Sequence, residues 1–353
     1  MTLIAISILA TIGCTKAEPE PAEPYTDVVF DETRISSDTA AEDFQNIYAD
    51  FDFHDGPFEE VLFIADLSTT CFPFEQWDDN PPPAGQNWPA SCDAFDRNFE
   101  FTMDEPVADG DPPALEIVRA ITPFGGPMHI EVDITDLANG KPGAHQLHAH
   151  ITSWSDGAGL VSGSAGGWNI SASIQATPGT PRDNMLAVVP LFNGNVTTES
   201  TPEEFTFELP DHTEDWRIEY RVTGHGGASD SSFSCIGPAE EFCRRHHHAF
   251  MDGTEFDDFV PWRDDCELGC TTTSGGPFGS YCAENPCGHP DSVRAPRANW
   301  CPGSVTPAIV WDEHDLDLEP GSHTINFVVD DMVPGGSWRT SVAFYASGDL
   351  PEE

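Results

Sequence analysis

The chain is short of positive charge. Lys16 and Lys141 are its only lysines, and 14 basic residues stand against 61 acidic ones, a formal charge of −47. A surface of that sign repels phosphate backbones and anionic headgroups, which excludes nucleic acid as a partner. It reads instead as a solvated acidic face that keeps an exported protein soluble. Long apolar runs are missing too: the opening residues 1–14 are apolar but too short for a stable span. No helical stripe lasts beyond about one turn, and there is no internal repeat and no coiled-coil pattern.

Residues 1–14 read as an export signal, with Cys14 placed as the acylation point of a lipoprotein leader. The acidic, proline-rich tether Glu18-Pro19-Glu20-Pro21-Ala22-Glu23-Pro24 follows it. Membrane contact is then expected only through that lipid anchor, and the protein is expected in the outer membrane, the periplasm or outside the cell. Nine further cysteines in an exported chain point to disulfides, and the odd number leaves one thiol over. A Cys71–Cys92 bridge would tie a turn-rich insert, with its three prolines, Trp77 and Trp88, to the strand it leaves. Cys266, Cys270, Cys282, Cys287 and Cys301 leave their pairing open, and the first four have near-metal spacing, so zinc competes with disulfides there.

Period-two alternation runs through residues 61–67, 92–103, 115–119, 129–134, 146–154 and 169–174. After the break Thr177-Pro178-Gly179-Thr180-Pro181 it resumes at 187–192, 205–209, 216–222, 308–311, 323–329 and 340–345. Residues 25–49 are polar and weakly patterned and read as a lead-in. Short strands separated by Gly/Pro turns argue an all-β fold of sandwiches or jelly rolls. At 353 residues two domains are expected, over 25–178 and 183–350 after the leader at 1–24.

The stretch 217–301 concentrates chemistry-bearing residues. A strand breaks at Gly224-His225-Gly226-Gly227 into a loop holding Cys235, Glu241 and Cys243, then His246-His247-His248, and the region closes at Arg297-Ala298-Asn299-Trp300-Cys301. Loops carried on rigid strands are where binding and catalysis concentrate. On spacing alone, Asp96-Arg97 reads as a surface ion pair.

Several blocks resemble the peptide N-glycosidase F family, bacterial amidases that remove N-linked glycans. They are Cys92-Asp93-Ala94-Phe95-Asp96-Arg97, Ala120-Ile121-Thr122-Pro123-Phe124, Ile130-Glu131-Val132-Asp133-Ile134-Thr135-Asp136, Thr152-Ser153-Trp154, Gly224-His225-Gly226, Ala239-Glu240-Glu241-Phe242-Cys243 and Arg297-Ala298-Asn299-Trp300-Cys301-Pro302-Gly303. The resemblance covers roughly residues 60–348. It implies two antiparallel eight-stranded jelly rolls packed side by side, similar to the paired domains of copper-dependent peptidylglycine hydroxylases, with the active site between them. The implied reaction is hydrolysis of the bond between an Asn side-chain amide and N-acetylglucosamine, without cofactor or metal, by a monomer acting on N-glycosylated proteins or glycopeptides.

Carried over residue by residue, Asp96 and Glu241 match the catalytic carboxylates. Arg97, Trp154 and Arg297 match substrate-contacting positions, and Trp300 offers a flat face for a sugar. Cys235–Cys243 matches a paired loop, and Cys266 and Cys301 are expected in disulfides. Three departures touch substrate contacts: Thr152 stands where the family carries an acid, and His225 and Phe242 where it carries tryptophans. Threonine can hydrogen-bond but cannot shuttle protons near neutral pH. That change favours a second class of function, a glycan-binding module without turnover. A third arises from His148 and His150, on one strand face, with His246, His247 and His248 in the other half: a copper or other metal site.

Overall fold

The computed structural model describes residues 23–54, 56–200, 204–227 and 235–349. Cys14 and nearly all of the leader and tether lie outside them. The fold is all-β, two antiparallel sandwiches side by side. In chain order the strands of the first half are β1 (Tyr25–Ser36), β2 (Asn46–Phe53), β3 (Phe58–Ser68), β4 (Asn98–Met103), β5 (Leu115–Ile121), β6 (Met128–Asp133), β7 (Gly143–Ile151) and β8 (Gly167–Pro178), with α1 (Thr135–Gly140) between β6 and β7. The second half carries β9 (Met185–Thr197), β10 (Phe205–Leu209), β11 (Thr213–Gly226), β12 (His247–Met251), β13 (Thr254–Phe259), β14 (Thr272–Ser274), β15 (Ser280–Cys282), α2 (Pro290–Arg294), β16 (Val305–Thr306), β17 (Ile309–Asp312), β18 (Gly321–Val329) and β19 (Gly336–Gly348).

The first sandwich packs the sheet β1-β8-β3-β6 on the sheet β16-β5-β4-β7-β2, and the second packs β10-β18-β12-β13 on β17-β11-β19-β9. Strand β16 comes from the second half, so the chain returns to stitch the two halves together. Alternating inward residues fill each sandwich: Phe63, Phe99, Phe101 and Trp168 in the first, Trp216, Tyr220, Phe327 and Trp338 in the second. The lead-in expected at 25–49 is instead the edge strand β1 and the start of β2. β1 pairs along β8 with register shifts on either side of Phe30, and these interrupt the alternation that would have marked it as a strand.

All seven residues of β5 are buried, because one face meets its own core and the other meets the second sandwich. The contact between the halves combines apolar packing, with Val188, Ala343 and Tyr345 joining the first core, and a polar cluster. Arg339 on β19 donates to both oxygens of Glu100 on β4 at 2.8–3.1 Å. Arg119, fully buried, pairs with Glu116 and donates to the carbonyls of Arg221 and Arg339. Burial alone would raise Glu100, but Arg339 and Arg119 overcome it and hold this carboxyl below its usual range.

Four disulfides join Cys71–Cys92, Cys235–Cys243, Cys266–Cys301 and Cys270–Cys282. The open pairing is thereby resolved, and the zinc reading of Cys266, Cys270, Cys282 and Cys287 is overturned, since three of the four sulfurs are already bonded. Among the described residues Cys287 is the remaining thiol. Four such crosslinks fit an oxidising compartment outside the cytosol.

Candidate active site

Asp96 lies in the loop that runs from the Cys71–Cys92 bridge into β4, and its neighbour Asp93 shapes that loop. Asp93 is fully buried and accepts from Arg97 Nε at 3.1 Å and Nη2 at 2.9 Å, and from Ser162 Oγ at 2.9 Å. The Arg97 backbone N–H donates to Thr122 Oγ1 at 2.9 Å. With these anchors made, Asp96 turns the other way, toward the second sandwich.

Glu241 is placed by the same device. Its neighbour Glu240 is buried and accepts from Arg245 Nε at 2.7 Å, Trp338 Nε1 at 3.0 Å and the Val333 N–H at 2.9 Å. That pins a short 3-10 turn closed by Cys235–Cys243, and leaves Glu241 pointing outward. The Ala298 N–H donates to the Glu241 carbonyl at 2.8 Å, tying this turn to the segment of Arg297.

Arg297 joins the two carboxylates. Its Nη2 lies 3.5 Å from Asp96 Oδ2 and its Nη1 lies 3.7 Å from Glu241 Oε1. The guanidinium sits against the rings of Trp300 and Phe242 at 4.6 and 4.8 Å, and Nη2 also donates to the Ser292 carbonyl at 2.9 Å. Among the described residues its Nε and Nη1 have no hydrogen-bond partner, although the residue is buried. Such orphan donors are rare and costly, and they are what a site awaiting a polar ligand presents.

Both carboxyls are shifted upward. Burial raises Asp96, against the pull of Arg297 and Arg97. Burial and then the charge of Asp96 raise Glu241 to about 7, against the pull of Arg297. Glu241 therefore holds its proton into the neutral range beside the carboxyl of Asp96.

A cleft of about 810 Å³ opens beside Asp96 and runs between the sandwiches. Asp96, Arg97, Thr152, Trp154 and His225 all line it. Trp154 is 46% exposed, and Thr152 Oγ1 reaches the Asn98 carbonyl at 3.4 Å. His225 stacks on Trp300 at 5.4 Å and bonds Thr223 Oγ1 through Nε2 at 2.8 Å, and burial pulls its pKa down to about 3, so the ring is neutral. Gly224 beside it is needed for space, since a Cβ there would come within 2.8 Å of Ala298 Cβ.

Two sequence expectations change. The fork of Arg97, expected on a substrate, is engaged by Asp93 and by the Trp154 carbonyl at 3.0 Å. Trp300, expected as a sugar platform, is 2% exposed and donates to the Gly224 carbonyl, so it backs Arg297 and His225 from beneath. The histidines do not converge either. His148 and His150 line the cleft, whereas His247 is buried on Tyr220 and His246 and His248 pair with Asp258, Glu255 and Asp330 on the outer sheet. Sequence reasoning missed Asn46, Tyr48, Glu100, Glu105 and Arg339 on the cleft wall. Glu100, the lone charge between Phe99 and Phe101, was the one available signal.

Residues 193–346 match the family described as Peptide-N-glycosidase F, C terminal. The fold extends the likeness to the rest of the chain. PNGase F superposes with a TM-score of 0.65 at 18% identity, over 94% of this chain and 98% of its own. The family match is thus confined to the second half of the chain, and over the remainder the likeness is one of fold. A PNGase F structure described as a glycosylasparaginase from Flavobacterium meningosepticum gives a TM-score of 0.64 at 17% identity over the same shares. PNGF-II gives 0.65 at 20% identity over 93% of this chain, which spans only 66% of the length of PNGF-II. No protein of curated function matches the sequence.

Proposed function

We propose that this chain belongs to the peptide-N-glycosidase F family and hydrolyses the bond between an Asn side-chain amide and N-acetylglucosamine in N-glycosylated proteins or glycopeptides, acting outside the cytoplasm as a monomer. The observation that carries the reading is the meeting of Asp96, from one sandwich, with Glu241 and Arg297, from the other, where Asp96 itself lines a cleft large enough for a saccharide.

In this reading Asp96, ionised and close to Arg297, takes a proton from water as the oxygen attacks the amide carbon. The unpartnered Nε and Nη1 of Arg297 are the donors available to the oxyanion that forms. Glu241, still protonated near pH 7, gives its proton to the leaving nitrogen as the C–N bond breaks. The products are an Asp side chain, which keeps the water oxygen, and a glycosylamine. Trp154 supplies an exposed flat face beside the reacting bond, and the neutral His225 lines the opposite wall.

The test is mass spectrometry of an N-glycosylated peptide after incubation with the enzyme. Glycan loss accompanied by conversion of Asn to Asp is expected, and Asp96→Asn is expected to abolish it. Undiminished release by that variant would overturn the mechanism. A second reading, a glycan-binding module without turnover, is favoured by Thr152. Release only after Thr152→Glu would support it over the enzyme.

A further inference from the structure

The cleft extends well past the reacting end. Along β7 the residues of one face, Thr152, His150 and His148, step away from Asp96, and four residues of strand carry the wall about 13 Å. At the far end β2 pairs with β7 so that Tyr48 lies opposite His148 and Asn46 opposite His150. The ring of Tyr48 is stacked on His148 at 4.5 Å with only 9° between the planes, yet the residue is 53% exposed.

His148 is itself immobilised at both nitrogens, Nδ1 on Glu105 Oε1 at 2.8 Å and Nε2 on Asn46 Oδ1 at 2.8 Å. Asn46 Oδ1 also meets His150 Nδ1 at 2.9 Å, and Asn46 Nδ2 donates to the Phe44 carbonyl at 3.1 Å. Glu105 Oε1 additionally accepts from Thr102 Oγ1, while no hydrogen bond engages Oε2 among the described residues. A half-exposed ring resting on a polar imidazole buries little apolar surface, so stability does not account for holding it this firmly. The arrangement is a preorganised apolar platform with an open carboxylate oxygen and the His150 ring beside it.

We infer that Tyr48, with Glu105 and His150, forms a second saccharide subsite that takes a neutral pyranose of the glycan some distance beyond the sugar at Asp96. A pyranose presents an apolar C–H face to an aromatic ring and hydroxyl donors at its rim, which is the complement of Tyr48 and Glu105 Oε2. The carboxylates of Glu105 and Glu100, both on this wall, disfavour an acidic sugar. The inference rests on the reading of the cleft as a glycan site.

The test is calorimetric titration of the whole protein with two free saccharides, N,N′-diacetylchitobiose and a neutral oligosaccharide of five or more sugars ending in the same disaccharide. The longer ligand should bind about tenfold tighter. Tyr48→Ala should remove that advantage and leave the disaccharide affinity unchanged. Glu105→Gln, which keeps the shape of the site, should reduce the advantage in part. Thermal unfolding of each variant separates lost binding from lost folding. Equal affinity of the wild type for both ligands, an equal loss for both on Tyr48→Ala, or no binding of either would overturn the subsite. Because free saccharides are read by affinity, failure of glycopeptide release alongside a retained length dependence would sink the proposed reaction and leave the subsite standing.

Discussion

Replacing Glu241 by glutamine should make the protein more stable at alkaline pH, and the size of the gain follows from the site. The folded-state pKa of about 7, against 4.5 for an ordinary glutamate, corresponds to about 3 kcal/mol. Since the folded pKa is raised, the native protein keeps a proton that the unfolded chain releases between pH 4.5 and 7. Stability from this group is therefore fully present below pH 4.5 and is lost as pH rises through 7. Glutamine has the same shape and never ionises. Glu241→Gln should match the wild type near pH 4.5 and exceed it by up to about 3 kcal/mol at pH 8. The assay is urea unfolding followed by tryptophan fluorescence, with disulfides intact, at both pH values. Comparing variant with wild type cancels the pH dependence of the other 60 acidic residues, since both proteins carry them. A difference that is the same at both pH values, or a variant less stable than wild type at pH 8, would refute the account of Glu241 as a carboxyl held short of its compensating charge. The variant should at the same time lose glycan release, since glutamine cannot donate the proton.

Two other sites give sharp expectations. Glu100→Ala leaves Arg339 and Arg119 buried at the contact between the sandwiches without their shared carboxylate, and should cost about 3–5 kcal/mol in urea unfolding. Cys287 is a half-buried thiol whose surroundings push its pKa up, and its sulfur lies within 4.8 Å of those of Cys71 and Cys92. Iodoacetamide at pH 7.5 should leave it unmodified in the native protein and label it once the chain is unfolded without reductant, as read by intact mass. Rapid native labelling would refute its burial.

The strands and their faces were legible in the sequence wherever a single face is buried, as in Val61 to Leu67 or His323 to Val329, because period two is then written in polarity. They were least legible in β1, whose bulges break the alternation; β5 was legible as a strand, but its burial on both faces by a partner sandwich was not, since a local window does not contain that sandwich. The site divides in the same way. Asp96, Glu241 and Arg297 stood out through a family resemblance, but each carboxylate has an acidic neighbour of equal chemical type, Asp93 and Glu240. Nothing local says which of the two holds the loop and which faces the ligand. The hydrogen bonds decide it: Asp93 and Glu240 are saturated by Arg97, Ser162, Arg245, Trp338 and the Val333 N–H, whereas Asp96 and Glu241 share one guanidinium at 3.5 and 3.7 Å. One acid in each loop is satisfied, and the other is left with too little positive charge to offset the burial that raises its pKa. The surroundings of Trp300 and Arg97 were equally beyond a local reading. Trp300 is buried beneath Arg297, and the Arg97 fork is engaged by Asp93 although the residue lines the cleft, and both arrangements depend on partners brought together only by the fold.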